Sequence, residues 1–374
     1  MSHDFKFGIE EEYFLVDAET KAVAVRRPEA FLMAAKKEIG PQIKGEMLQS
    51  QIECTTAPHV DIARARSELK HLRHALAAVA AQYGLAILAS GTHPTAVWKS
   101  AQQTPTKRYD TVMDDLQMIG QRNMLCGTHV HVELPDPDGR VDVMYRMLPY
   151  LPLFVALATS SPFWQSRPTG LKGYRLAAYD ELPRTGVPEL FRRREDFDAY
   201  ISALTRSGVI EDSSFVWWAI RPSLQHNTLE LRAPDSCTLV EDSVAIAALY
   251  RSLVRMLSRL PFLNGELTAV SRAIVVENKW RAQRYGIHGT FVTEAGAESV
   301  PAMLERVIAD ITPDAKALGC MAEVEYCWQI VKSGTSADRQ LAVFATHEKC
   351  EGRGRALSAV TQWIAAASLH EGAG

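Results

Sequence analysis

The stretch KFGIEEEYFLVD, residues 6–17, sets three consecutive glutamates inside an otherwise largely apolar run. Read as an extended strand, its side chains alternate between two faces. Glu10 and Glu12 then share one face, while Ile9, Glu11, Tyr13 and Leu15 take the other. Working outward, the same division recurs in further segments. In QIECTT (51–56), Glu53 points opposite to Ile52 and Cys54. In GTHVHVEL (127–134), His129, His131 and Glu133 share a face, with Thr128, Val130, Val132 and Leu134 behind. In NTLELRA (227–233), Glu230 and Arg232 share a face backed by Leu229 and Leu231.

An antiparallel sheet with one solvated face shows such alternation too. Solvated faces mix Lys, Thr, Ser and Arg, however, whereas each of these fronts carries a glutamate and hardly any lysine. If the strands are neighbours, Glu10, Glu12, Glu53 and Glu230 converge on one concave surface. Two such charges about 5 Å apart repel by roughly 3 kcal/mol at an effective dielectric of about 20. Bound cations or shifted pKa values are needed to tolerate that. Oxygen-rich ligation with a single imidazole suits Mg2+ or Mn2+ better than Zn2+. Arg232 beside such a cluster suits phosphoryl transfer, which needs metals bridging the phosphates and a donor to the transferred group. Its spacing suits an ion pair with Glu230 equally well. Neither GxxxxGK[ST] nor GxGxxG occurs, so a nucleotide would not sit in a Walker or Rossmann loop.

The rest of the chain fills in around these strands. Asp61 can cap a helix in which Ile62, Leu69, Leu72, Leu76, Val79 and Tyr83 recur at helical spacing. Gly84 ends it, and LAILASGTHP (85–94) reads as a buried strand and turn. A helix is expected over 143–158, a loop-rich segment over 160–195, and strands over 214–220 and 226–233. Asp235 or Ser236 would cap a long helix running to about residue 260, and helices dominate thereafter. Strand-rich 1–235 followed by mainly helical 236–374 reads as α+β rather than alternating βαβ, with 1–374 as a single domain.

Composition sets the outer limits. Among 374 residues, 41 Lys+Arg against 44 Asp+Glu give a net charge of -3, which excludes the basic footprint of a nucleic-acid binder. A hydrophobic content of 47% excludes disorder as the dominant state. No apolar run approaches the length of about 18 residues that would cross a membrane. The opening residues lack the basic and apolar regions of a signal peptide, and the six cysteines form no CxxC. A reduced, cytoplasmic protein is expected. The Leu/Val/Met-rich helices after residue 240 could pack internally or form a homodimer.

Taken in order, GIEEEYFLVD, QIECTT, CGTHVHVEL, SPFW with TGLKGYR, NTLELRAPD and ENKWRAQRYG resemble the carboxylate–amine ligase branch of the glutamate–cysteine ligase family. The resemblance spans essentially the whole chain. It implies a glutamine-synthetase-like catalytic fold: a curved antiparallel sheet whose concave face holds Mg2+ and ATP, with helices behind. It also implies small-molecule carboxylate and amine substrates, with glutamate's γ-carboxylate activated as an acyl phosphate. Metal ligands are carried over onto Glu10, Glu12, Glu53, His129 and Glu230, and contact with the transferred phosphoryl group onto Arg232. His131 and Glu133 are candidates for substrate binding on the same front.

Arg175 in TGLKGYR and Arg281 in NKWRAQR are candidate carboxylate clamps, weighed against exposed structural arginines. Cys54, Cys126 and Cys237 read as small core residues. Trp217, Trp218 and Trp280 suit the core or a pocket wall, and Trp164 suits a mobile lid. The alternative function is a metal-dependent hydrolase built on the His129/His131 pair. It needs further imidazole or aspartate ligands, and His93 is the best-placed addition.

Overall fold

The computed structural model describes residues 4–370. Its main sheet comprises β1 (Phe7–Asp17), β2 (Ile43–Gly45), β3 (Gln51–Thr55), β4 (Leu85–Leu88) and β5 (Thr128–Glu133). Two short hairpin strands follow, β6 (Phe163–Trp164) and β7 (Arg167–Pro168), then β8 (Ile220–Pro222) and β9 (Thr228–Leu231) return to the main sheet. The strand order is β2-β3-β1-β5-β9-β8, with β4 also on β1, and every pairing within it is antiparallel.

Register brings the fronts together. Glu12 lies opposite Glu53, Glu10 opposite His129, and His131 opposite Glu230. The backs of the same strands are apolar: Ile9, Ile52, Val130, Val132, Leu229 and Leu231 are all buried. The helix Val240–Arg259 packs behind β5 and is buried along nearly its whole length. Beside it lies the helix Ile62–Ala81, capped by the Asp61 carboxylate, which accepts from the amides of Ala63 and Arg64. From residue 240 onward the chain is helical except for the hairpin of β10 (Thr290–Thr293) and β11 (Gly296–Ser299).

Glu11, between Glu10 and Glu12, faces the opposite side. Its carboxylate is fully buried against Arg73 of the helix Ile62–Ala81, which donates to it through Nε at 2.8 Å and Nη2 at 2.7 Å. Arg73 also donates to the carbonyls of Cys237 and Thr238, both at 2.7 Å, and of Ser368 at 3.1 Å. One guanidinium thus joins the first strand, the chain before the helix Val240–Arg259 and the last helix.

Several expectations are corrected. The stretch 143–158 is two helices, Arg140–Met147 and Leu151–Leu157, separated by a single 3-10 turn, because Pro149 and Pro152 cannot donate into a continuous helix. Asp235 does not cap the long helix, which begins at Val240. Its carboxylate instead accepts from the Ser160 amide at 3.0 Å and the Ser161 hydroxyl at 2.7 Å. The strand expected over 214–220 is a 3-10 turn followed by the three-residue β8. Trp164 is no lid residue: it is buried in the β6–β7 hairpin, where Tyr174 packs against it.

Candidate active site

β1, β3, β5 and β9 present their polar fronts to one cavity of about 380 Å³. Glu10, Glu12, Glu53, His129, His131, Glu230 and Arg232 all line it, and so does Arg175. These side chains sort into two groups. Oxygens of Glu12, Glu46 and Glu53 lie within 4.8 Å of one another, and so do donor atoms of Glu10, His131 and Glu230.

The groups differ in charge. In the first, burial and the neighbouring Glu53 and Glu12 push the Glu46 carboxyl well above the usual range. Burial and Glu10 raise Glu53 against the pull of Lys44, whose ammonium lies 3.0 Å away. In the second, cations dominate. Burial alone would raise Glu10, but His131 and His129 hold it well below the carboxylate norm. Glu230, likewise buried, is held far down by Arg221 and Arg232. Burial opposes the charge on His131, yet Glu10 raises its pKa. Among these groups, then, the Glu12–Glu46–Glu53 trio is the one short of positive charge.

Both groups fit divalent cations. His129 Nδ1 and His131 Nε2 are buried and make no hydrogen bond, and they face Glu10 oxygens at 3.5 and 3.3 Å. Three carboxylates in one group and two with an imidazole in the other form the oxygen-rich donor set that Mg2+ or Mn2+ prefers. His129, the expected ligand, lies between Glu10 and Glu12 but falls outside either group of three. His131, expected to touch substrate, falls inside one.

Gly127, the residue before β5, is a glycine for a steric reason. A Cβ there would stand 2.2 Å from Arg175 Nη2 and 2.8 Å from His129 Nε2. Its amide donates to Glu12 at 2.5 Å. Arg175 is buried rather than exposed; its Nη1 donates to the carbonyls of Arg232 and Pro234, and its Nε has no partner. Arg232 pairs with Glu230, the relation that its spacing allowed, while one edge faces Tyr179.

Other expected residues lie elsewhere. Arg281 does not line the cavity, because its helix, Ala269–Tyr285, turns it toward Thr290, to which it donates. Glu133 sits past Glu10 in an adjoining cavity with Lys6 and Asn227. Trp217 lines the main cavity, Trp218 is buried in the core, and Trp280 is half exposed on the surface. Cys54, Cys126 and Cys237 are buried. His93 is buried away from the cavity, with Nε2 on the Lys21 carbonyl and Nδ1 accepting from the Thr95 amide, so it adds no ligand to the His129/His131 pair.

Glu46 and Arg221 are the residues that the sequence pattern missed. Glu46 follows the three-residue β2, outside any alternation, and only its place seven positions before Glu53 hints at it. Arg221 stands on a strand too short to show a period.

The sequence profile described as "Glutamate-cysteine ligase family 2" matches residues 6–359. The chain belongs to this family. Glutamate–cysteine ligase family relatives include proteins named "Putative glutamate–cysteine ligase 2" from Bradyrhizobium sp. (strain ORS 278) and Rhodospirillum rubrum. The first is 58% identical over 366 residues, covering 98% of this chain and 88% of the relative. The second is 43% identical over 347 residues, covering 91% and 89%. Two solved structures share the fold. A glutamate–cysteine ligase from Francisella tularensis, in complex with AMP, has a TM-score of 0.64 at 13% identity, with 98% of this chain and 90% of that one covered. A bifunctional glutathione synthetase from Pasteurella multocida has a TM-score of 0.67 at 15% identity, and this chain spans 53% of its length. The family resemblance and the α+β class built on an antiparallel sheet are both borne out. Among the described residues no helix is long and apolar enough to cross a membrane.

Proposed function

We propose that this member of the glutamate–cysteine ligase family is an ATP-dependent ligase that joins a carboxylate, the γ-carboxylate of glutamate, to an amine such as cysteine. The observation that carries the reading is the pairing of two carboxylate-rich groups with Arg232 in one cavity. In the proposed reaction an oxygen of the acid attacks the γ-phosphorus of ATP, and ADP leaves as an acyl phosphate forms. The amine nitrogen then attacks the acyl carbon, phosphate departs, and the nitrogen gives up its proton to solvent or phosphate.

Divalent cations held by Glu12, Glu46 and Glu53, and by Glu10, His131 and Glu230, would screen the charge of the β- and γ-phosphates. Arg232 donates to the transferred group as negative charge redistributes there. Arg175 offers a buried Nε at the back of the cavity, suited to an anionic substrate group. The core packing behind the sheet holds these donors in place before substrate arrives.

The test is ADP release by metal-replete protein, screened over amino acids and amines. Release that requires both an acid and an amine supports the reading. No coupled release across a broad panel overturns it.

A further inference from the structure

Glu230 is held by two guanidiniums, and they are not equivalent. Arg221 lies directly opposite it in the β8–β9 register. Its Nε donates to Glu230 Oε2 at 2.7 Å and its Nη2 to Oε1 at 3.4 Å. Its Nη1 donates to the carbonyls of Ser214 at 3.1 Å and Val216 at 2.9 Å. Every nitrogen of this guanidinium is committed. Arg232 meets Glu230 through Nη1 alone, reaches the Tyr179 hydroxyl through Nη2 only at 3.5 Å, and has a buried Nε with no partner. Of the two, Arg232 can exchange Glu230 for an incoming anion, and Arg221 cannot.

A cation leaving a buried carboxylate strands that charge unless another stays behind. We infer that Arg221 is a positioning residue: it is the fixed counter-ion of Glu230 that releases Arg232 to the transferred phosphoryl group. Its other edge anchors the 214–216 backbone, so the wall carrying Ser214 and Trp217 is tied to the same carboxylate. The phosphoryl part of this inference rests on the ligase reading; the charge balance at Glu230 does not.

The test compares Arg221→Met and Arg221→Lys in the full chain, by Mn2+ titration, ADP release and thermal unfolding. Removing a positive charge beside the carboxylates should tighten Mn2+ binding in Arg221→Met by at least about threefold. Turnover should fall by at least about tenfold in the same variant, with the half-saturating Mg·ATP concentration moving less. Arg221→Lys keeps the charge, so its Mn2+ affinity should stay within about twofold, yet its turnover falls because an ammonium cannot grip Glu230 and both carbonyls. Mn2+ affinity that is unchanged or weaker in Arg221→Met overturns the inference, and so does retained turnover. Parallel loss of metal binding and melting temperature in both variants marks a merely structural arginine and overturns it too. If no acid–amine pair releases ADP from the unsubstituted protein, the ligase reading fails by itself, and the Mn2+ affinities still decide the role of Arg221.

Discussion

Arg73 grips Glu11 from behind the sheet through two short hydrogen bonds, directly beneath the strand segment that displays Glu10 and Glu12 to the cavity. Tyr13 adds its hydroxyl to the same carboxylate at 2.5 Å, and Ser243 donates to it as well. Both ionised partners are fully buried. Removing one member of such a pair leaves an uncompensated charge in a low-dielectric interior. Arg73→Met should therefore destabilise the protein by about 3–5 kcal/mol in denaturant titration. Replacing both partners together, Arg73→Met with Glu11→Leu, should cost less than Arg73→Met alone. A double variant as unstable as the sum of the two singles would show that the pair does not act as one unit.

Burial raises the Glu46 and Glu53 carboxyls, reinforced by Glu53 and Glu12 at Glu46 and by Glu10 at Glu53, so the metal-free trio holds protons more readily than free carboxylates do. Ligation needs ionised carboxylates, and metal uptake must release those protons. Apparent Mn2+ or Mg2+ affinity should thus fall as pH drops through the raised pKa values and level off above them. Glu46→Gln should weaken metal binding by more than about tenfold and flatten that dependence. Calorimetric titration in buffers of different ionisation enthalpy counts the protons released.

At Gly127 a methyl group has nowhere to go, because Arg175 and His129 already stand within 3 Å of where it would be built. Gly127→Ala should cost about 1–3 kcal/mol of stability through overpacking. It should also disturb the amide that donates to Glu12, so turnover should fall further than stability explains. Wild-type stability and activity in the variant would refute the packing described.

His93 makes the acid limit of stability predictable. Burial lowers its pKa to about 4 from 6.5, despite the Lys21 carbonyl. The folded-state value is depressed, so the unfolded chain takes up the proton first as pH falls. The contribution is whole above about pH 6.5 and is lost progressively down to about pH 4, amounting to about 3 kcal/mol in all. His93→Gln cannot titrate, and its unfolding free energy should lose less over that interval. Equal slopes for the two proteins would remove His93 as the cause.

Most of the front of the sheet was legible because a period of two recurring in four separate strands is a strong signal, and register then did the rest. Glu10 and Glu12 stand as alternation required, with Glu11 turned inward. The failures share a physical origin in short or irregular backbone. Glu46 lies past a three-residue strand, and Arg221 sits on another. Arg175 carries the opposite lesson: it lies at the start of the short helix Tyr174–Tyr179 after a Gly-rich stretch, too brief to show an apolar period, and its guanidinium occupies room that Gly127 leaves free. Arg281 failed because a helix of weak amphipathic character does not reveal which side faces a cavity.

The register described above also dictates when the acidic pocket can exist. Glu10 meets its partners only after β5, and His131 meets Glu230 only after β9, more than two hundred residues behind the first strand. Pairings of such long sequence separation form late and slowly. A chain emerging from the ribosome can therefore bring Glu12, Glu46 and Glu53 together from its first 53 residues, whereas the Glu10–His131–Glu230 set stays incomplete until residues near 232 are out. Metal capture at the second group is consequently a late step in biogenesis, one that can reward a finished fold but cannot help to begin it.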